Sequence, residues 1–161
     1  MNIAIMMDAF VTELKKATSH LQMQDPKGNF NAPQVFNGYM PPKNPRDPQA
    51  VDDFPYVIAR YLNDETEESG DPTAQVKVYC GTYSEDEQGW CDLLNLSDTI
   101  KTHFLSQPFF GKCFEVILPL KREFPEEQPK PEWVGWFTFT ISIPNIIGAN
   151  KEVERIINGS D

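Results

Sequence analysis

The chain has 161 residues, of which 40% are hydrophobic and 24% charged, a length and composition that fit one globular domain with a single core. Its formal net charge of −10 argues against tight binding to nucleic acid or to anionic membranes, because both need clustered Lys and Arg. The three cysteines show no Cys-x-x-Cys spacing, so we expect reduced thiols that act as small buried side chains. Met1 to Met7 lacks the basic start of a secretory signal, and no apolar stretch approaches the roughly 20 residues of a membrane span.

The first predicted element is an N-terminal amphipathic helix. Its apolar residues recur at alternating steps of four and three, the period of one helix face. They are Ile3, Met7, Phe10, Leu14, Ala17 and Leu21. The pattern lasts for fewer than three heptads, which favours a helix lying on a sheet over a coiled coil.

A long connection from Gln22 to Phe54 follows and is rich in Pro, Gly and Asn. It contains a β-run, Gln34 to Met40, and the prolines after that run exclude a central strand there. Loops of this length in compact domains are usually functional or disordered. We therefore expect the segment from Asn31 to Asp53 to project and to contact a partner. Its candidate contact residues are Tyr39, Pro41 and Pro42.

Two β-runs enclose an acidic turn in the middle of the chain. Phe54 to Leu62 is rich in β-forming residues, and Ala74 to Thr82 alternates between apolar and polar residues, as half-buried strands do. Asp64 to Asp71 reads DETEESGD, and we interpret it as a solvated hairpin tip rather than a metal site. Its candidate contact residues are Glu65, Glu67 and Glu68.

A second acidic turn, Ser84 to Gly89, leads into a second amphipathic helix. Apolar residues at three- and four-residue steps predict that one face of this helix covers the neighbouring strands. They are Trp90, Leu93, Leu94, Ile100 and Phe104.

The last two β-runs are the clearest strand signals. In Cys113 to Phe124, Pro119 predicts an edge position or a bulge. In Trp133 to Ile143, apolar residues alternate strictly with a second face. Trp136 is the large aromatic residue on that second face, and we predict that it is an interface anchor.

No pattern in the sequence predicts catalysis. His20 and His103 are the only histidines, neither has an inferable Ser or Cys partner, and we expect surface or cap roles for them. The carboxylates cluster in turns, which is the wrong setting for acids of raised pKa. We predict a protein that is not an enzyme, with no cofactor and no metal.

These elements predict an α+β fold, with an antiparallel or mixed sheet of about four to five strands covered by two α-helices. We expect residues 1–144 to form a single domain. Residues 145–161 are expected to be a tail, in which Val153, Ile156 and Ile157 could form one apolar edge of a short helix.

Four stretches of this sequence resemble the tail terminator (tail completion) proteins of long-tailed bacteriophages and prophages of Gram-positive bacteria. They are Phe36 to Pro42 (FNGYMPP), Phe54 to Asp64 (FPYVIARYLND), Gly81 to Leu96 (GTYSEDEQGWCDLLNL) and Leu118 to Pro144 (LPLKREFPEEQPKPEWVGWFTFTISIP). The resemblance covers nearly the whole chain except its last seventeen residues. This C-terminal tail departs from the family pattern. It rests on the order and spacing of these patterns rather than on catalytic residues.

The resemblance implies a helix–strands–helix–strands domain that closes into a hexameric ring in the neck of the virion. The ring would cap the tail tube, stop its polymerisation and offer a docking surface to the head completion or connector protein. DNA would pass through the ring without tight binding. We expect Glu85, Asp86 and Glu87 to line the opening, because like charge keeps phosphates from binding.

Two other functions remain open from the sequence. One is a head completion or neck connector protein. Members of the terminator family resemble one another only weakly, so a head completion protein could show a similar sequence pattern. The other is an acidic, monomeric phage protein that binds a host factor, in which the acidity would mimic nucleic acid.

Overall fold

A computed structural model describes residues 3–42, 46 and 53–144. The fold is α+β, with two helices, a mixed six-stranded sheet and a small two-stranded sheet. In chain order the elements are α1 (Ile3–Thr18), β1 (Met23–Gln24), β2 (Phe30–Asn31), β3 (Gln34–Asn37), β4 (Tyr56–Glu65), β5 (Thr73–Tyr83), α2 (Gly89–Ser106), β6 (Phe109–Phe110), β7 (Phe114–Glu123) and β8 (Glu132–Ser142). Neither helix is long and apolar enough to cross a membrane.

The large sheet has the strand order β3-β4-β5-β8-β7-β6. β3 pairs with β4 in parallel, and all other neighbours are antiparallel. The predicted α+β class and mixed sheet are confirmed, but the predicted count of four to five strands is wrong. The sequence analysis missed β1, β2 and β6, because each has only two residues and alternation needs about four to be recognised.

Three phenylalanine rings join both helices to the sheet at the centre of the core. Phe10 on α1 lies 5.2 Å from Phe104 on α2 and 5.2 Å from Phe139 on β8, measured between ring centroids. Phe104 and Phe139 are 5.3 Å apart in an edge-on arrangement. All three side chains are almost fully buried. Because each element contributes one ring, the helices and the sheet share one hydrophobic core.

The predicted apolar face of α1 is confirmed for Met7, Phe10, Leu14 and Ala17, which are buried. Leu21 lies beyond the end of the helix. His103 does not have the expected surface or cap role: its Nε2 atom lies 2.7 Å from Oε1 of Glu13 on α1, and both side chains are mostly buried. This contact ties the two helices together.

The predicted alternation is confirmed for β8 and for β5 up to Cys80, since the helix-facing residues are buried and their neighbours are half-buried or exposed. In β5 it ends there, because Gly81 is buried as well as Cys80 and Thr82. The predicted bulge at Pro119 is present, with a register shift between Ile117 and Lys121. Trp90 was predicted to face the core, and that prediction is wrong: its side chain is 44% exposed. α2 begins at Gly89, so Trp90 lies at the rim of the domain in a shallow pocket beside Phe124.

The aromatic core predicts a large effect of Phe104→Ala on stability. Removing this ring leaves a cavity against Phe10 and Phe139, and such truncations cost about 3–5 kcal/mol. Phe30→Ala is the control, because Phe30 is 64% exposed and exposed substitutions change stability by about 0.5 kcal/mol or less. Urea unfolding measures both variants. Equal effects of the two would contradict this description of the core.

Candidate functional site

Both helices pack on one face of the large sheet, and among the described residues no helix covers the other. We call this second surface the open face. Its side chains come from five neighbouring strands and from the turn after β3. They are Phe36, Tyr39, Ile58, Arg60, Lys77, Tyr79, Lys121, Glu123, Trp136 and Thr138.

One row of the open face is mostly apolar. The register pairs Phe36 with Ile58, Ile58 with Tyr79, and Tyr79 with Trp136. It ends at Glu123, which pairs with Trp136. Because directly paired residues lie on the same side of a sheet, about 4.5–5.5 Å apart, these side chains form one continuous strip across the strands.

The next row of the open face contains three cations. Arg60 pairs with Lys77, and both Lys77 and Lys121 pair with Thr138. The ammonium of Lys77 lies 4.9 Å from the ring centroid of Tyr79 and 4.6 Å from that of Trp136. These distances are those of cation–π contacts, so the row of cations and the row of rings stabilise each other.

Arg60 extends this arrangement to Tyr39. Its guanidinium lies 4.8 Å from the ring centroid of Tyr79 and 4.2 Å from that of Tyr39. Arg60 Nε donates to the carbonyl of Gly38 at 3.0 Å, and the Gly38 N–H donates to Ala59 at 2.7 Å. Gly38 has a φ of 90°, a conformation that favours glycine. The turn at Gly38 therefore places Tyr39, which is 71% exposed, over the cation.

The other end of the open face is closed by Glu123. Trp136 Nε1 donates to its Oε2 atom at 3.2 Å, and Lys121 Nζ lies 3.3 Å from its Oε1 atom. The hydrogen bond from Lys121, followed by that from Trp136, lowers the pKa of Glu123. Glu123 therefore neutralises Lys121. Arg60 and Lys77 form no ion pair within the part of the chain that the structure describes.

The structure thus brings together two of the predicted contact residues. Tyr39 and Trp136 were singled out separately, and they lie at opposite ends of one stack of alternating rings and cations. Arg60 and Lys77 were not predicted to be contact residues. Alternation in β5 put Lys77 and Tyr79 on one face, but only the strand register shows which residues on other strands lie beside them.

The hairpin tip, residues 64–71, is exposed at every position, so the predicted solvated tip is confirmed. Glu65 is the last residue of β4 and pairs with Thr73, and Glu67 and Glu68 lie in the turn beyond it. Between Asp64 and Asp71 the tip contains five carboxylates and no Lys or Arg. Tyr61 donates a hydrogen bond to Asp64 at its base. The tip is a projecting, strongly acidic surface.

The second acidic turn lies at the opposite end of β5. Glu85, Asp86 and Glu87 are all exposed, but Asp86 also has a structural role. Its carboxylate accepts the Gln88 N–H at 2.8 Å, and its carbonyl accepts the Gly89 N–H at 3.0 Å. These bonds position the start of α2, so Glu85 and Glu87 are the two carboxylates of this turn available for an electrostatic role.

The remaining predicted contact residues, Pro41 and Pro42, are exposed and follow Tyr39. Most of the segment from Lys43 to Asp52 lies outside the described residues, and so does the predicted tail at 145–161. The prediction that the segment from Asn31 to Asp53 projects is wrong for Gln34–Asn37, because these residues form β3 and pair with β4 in the large sheet.

The cysteines differ from one another. Cys80 is a buried small side chain as expected, and burial raises its pKa to about 12, which keeps it a thiol at neutral pH. Cys91 and Cys113 are exposed, so the expectation of burial is wrong for them. Their positions at the start of α2 and just before β7 explain this, since neither lies on a core-facing strand position. Residues 3–42, 46 and 53–144 contain no group of three His, Cys, Asp or Glu side chains placed to hold a metal ion.

The open face offers aromatic rings and the cations Arg60 and Lys77, which form no ion pair with the other described residues; this suits it to contact with an acidic surface. A scan against protein-family models and a search of curated proteins gave no match to this chain.

We expect Lys77 and Trp136 to stabilise the fold as a coupled pair. In a double-mutant cycle with Lys77→Gln and Trp136→Ala, urea unfolding should give a coupling energy of about 0.5–1 kcal/mol, the strength of an exposed cation–π contact. The matched control cycle uses Lys77→Gln and Trp90→Ala, whose effects should add because the two side chains are remote. Additive effects in both cycles would show that the contact between Lys77 and Trp136 contributes nothing to the free energy of unfolding.

Proposed function

We propose that this chain is a structural protein of the phage virion, a tail terminator (tail completion) protein that closes as a hexameric ring on the end of the tail tube. The ring stops polymerisation of the tube and offers a docking surface to the head completion or connector protein. Its partners are further copies of itself, the tail tube protein and that connector protein. The proposal is supported by the resemblance described above and by the chemistry of the open face.

The observation that supports it best is a basic, aromatic surface on a chain whose net charge is −10. Arg60 and Lys77 lie side by side on the open face, with aromatic rings beneath them. The hairpin tip of the same chain, Asp64 to Asp71, has five carboxylates. The two surfaces are complementary in charge, and such complementarity gives a contact its specificity and register.

The carboxylates of the tip lie far along the hairpin from the cations of the same chain. Glu65 is five residues beyond Arg60 on the same strand, roughly 17 Å at the rise of an extended chain, and the hairpin directs the tip away. The open face therefore receives the tip of a second copy. Such a contact joins two different surfaces, and a contact of this kind generates a closed ring when its rotation closes.

The surroundings of the reactive side chains support a binding role. His103 is hydrogen-bonded to Glu13 between the helices, and the Cys80 thiol is buried. On the open face, Arg60 and Lys77 contact aromatic rings, and Lys121 contacts Glu123.

Native mass spectrometry tests the ring. The wild-type chain should give a species of six times its 18.4 kDa mass, and Trp136→Ala should shift the population to monomer, because it removes a ring beneath Lys77. Trp90→Ala is the matched control: Trp90 is also partly exposed but lies outside the open face, and the ring should persist. Circular dichroism confirms folding of both variants.

A wild-type chain that stays monomeric at every concentration, with or without tail tube protein, would contradict the proposal and favour an acidic binding protein. If the ring forms but tube polymerisation is unchanged in electron micrographs, the proposed ring is supported and the proposed terminator role is contradicted. The remaining hypothesis is then that the chain is a head completion protein.

The second acidic turn predicts an effect on DNA passage. Glu85→Lys with Glu87→Lys should leave folding and ring formation intact, because Asp86, which positions α2, is kept. DNA ejection from assembled particles should become slower, most strongly at low salt, where the Debye length exceeds roughly 10 Å. The neutral pair Glu85→Gln with Glu87→Gln should have an intermediate effect. Normal ejection at low salt in both would place this turn away from the lumen.

A further inference from the structure

The dipeptide Asn-Gly occurs at residues 37–38, at the end of β3, and again at residues 158–159. Asn is a thermolabile residue, and it reacts fastest before glycine, because glycine has no Cβ to hinder attack by its own backbone nitrogen. The reaction, deamidation, converts the Asn side chain to a carboxylate without an enzyme. Asn37 is exposed and Gly38 is partly exposed, so water reaches this dipeptide.

Deamidation requires the backbone nitrogen and the side-chain amide of the dipeptide to be free. The Gly38 nitrogen gives its proton to a base and attacks the side-chain carbon Cγ of Asn37. A bond between this nitrogen and Cγ forms, the bond between Cγ and Nδ2 breaks, and Nδ2 takes a proton from water and leaves as ammonia. Water then opens the cyclic imide at either carbonyl, which leaves Asp or isoaspartate in the chain.

The structure holds both of these groups in hydrogen bonds. The Gly38 N–H donates to the Ala59 carbonyl at 2.7 Å, and the Gly38 carbonyl accepts from Arg60 Nε at 3.0 Å. The Asn37 amide donates through Nδ2 to Oδ1 of Asp8 at 2.9 Å. Asn37 also pairs with Ala59 in the sheet, and side chains of an extended strand stand out from its backbone. The attacking nitrogen and the leaving group are thus kept apart.

The hydrogen bond between Asp8 and Asn37 also joins two elements. Asp8 lies on α1 and Asn37 on β3, and among the described strands β3 has β4 as its only neighbour in the large sheet. A carboxylate in place of the Asn37 amide would face that of Asp8, and like charges at this distance repel. Isoaspartate would also carry its Cβ in the main chain and shift the pairing with Ala59.

We propose that Asn37–Gly38 is a deamidation site, which the bonds to Asp8 and Ala59 keep unreactive in the folded chain and whose reaction releases the end of β3 from α1. Tyr39 follows Gly38 directly and lies over Arg60, so the release also loosens this end of the open face. The change is irreversible, because the ammonia is lost. The inference does not depend on the proposed ring, since it concerns a single subunit.

Peptide mass spectrometry of the full chain in mildly alkaline buffer measures the reaction at residue 37. The wild-type chain should react there at least about tenfold more slowly in buffer than in urea, because the protecting bonds open only by local unfolding. Residues 158–159 carry the same dipeptide, and in urea they should react about as fast as residues 37–38, which controls for the conditions. Equal rates at residue 37 in buffer and in urea would overturn the proposal.

Two substitutions of Asp8 separate the hydrogen bond from the charge. Asp8→Ala removes the acceptor for the Asn37 amide and should speed deamidation of the folded chain at least about threefold. Asp8→Asn keeps a side-chain oxygen that accepts this bond and should react at close to the wild-type rate. Asp8 is exposed on α1, so both variants should fold, which circular dichroism checks. A wild-type rate in Asp8→Ala would also overturn the proposal, since Asp8 would then give no protection.

Hydrogen exchange measures the release of β3. Asn37→Asp reproduces the aspartate product and should speed exchange of the backbone amides in residues 35–38 at least about threefold, while those of β8 stay unchanged. Asn37→Ala is the matched control: it loses the bond without adding charge, so its effect should be smaller. Combining Asn37→Asp with Asp8→Asn exchanges donor and acceptor and should restore slow exchange.

Unchanged exchange in Asn37→Asp alone would overturn the proposed release. Fast exchange that persists when Asp8→Asn is added would overturn it as well, because repulsion from Asp8 would then not be the cause.

Discussion

The register between β5 and β8 determines both faces of this protein. The two strands pair without interruption from Thr73 with Ser142 to Tyr83 with Glu132. On the helix side this register pairs Val78 with Phe137, and on the open face it pairs Tyr79 with Trp136. A slip of one residue would exchange the faces, and it would remove both the site for the helices and the stack of rings and cations. The core thus determines which side chains form the open face, because burial of the phenylalanine rings requires this one register of β5 and β8.

The charge distribution follows from the same strands. Arg60 and Lys77 lie in the middle of β4 and β5, where neighbouring rings hold them on the open face. The acidic groups lie at the two ends of β5, in the hairpin tip and in the turn before α2. Arg60 and Lys77 are thereby kept apart from the two acidic turns of their own chain. That separation suits the proposed contact between copies, in which each subunit would offer the cations to one neighbour and the hairpin tip to the other.

Much of the fold could be predicted from the sequence, because alternation and helical steps report burial directly. The strands around Val76 and Phe137 and the core face of α1 were identified in this way. Trp136 could be singled out because a large aromatic residue departs from the polar pattern of its strand. The stack on the open face could not be predicted, since it needs the register of Arg60 against Lys77 on another strand. The pairing of His103 with Glu13 joins residues ninety positions apart, and no local pattern reports such a contact.

If the open face of one copy binds the acidic hairpin tip of the next, exchanging the charges of the two surfaces tests that contact. The variant Arg60→Glu with Lys77→Glu reverses the face, and Glu67→Lys with Glu68→Lys reverses the tip. Native mass spectrometry should show monomers for each pair of substitutions alone, because like charges then meet at every contact. The chain with all four substitutions should form rings again. Rings that persist in either double variant, or monomers that remain in the fourfold variant while it is folded, would contradict the account.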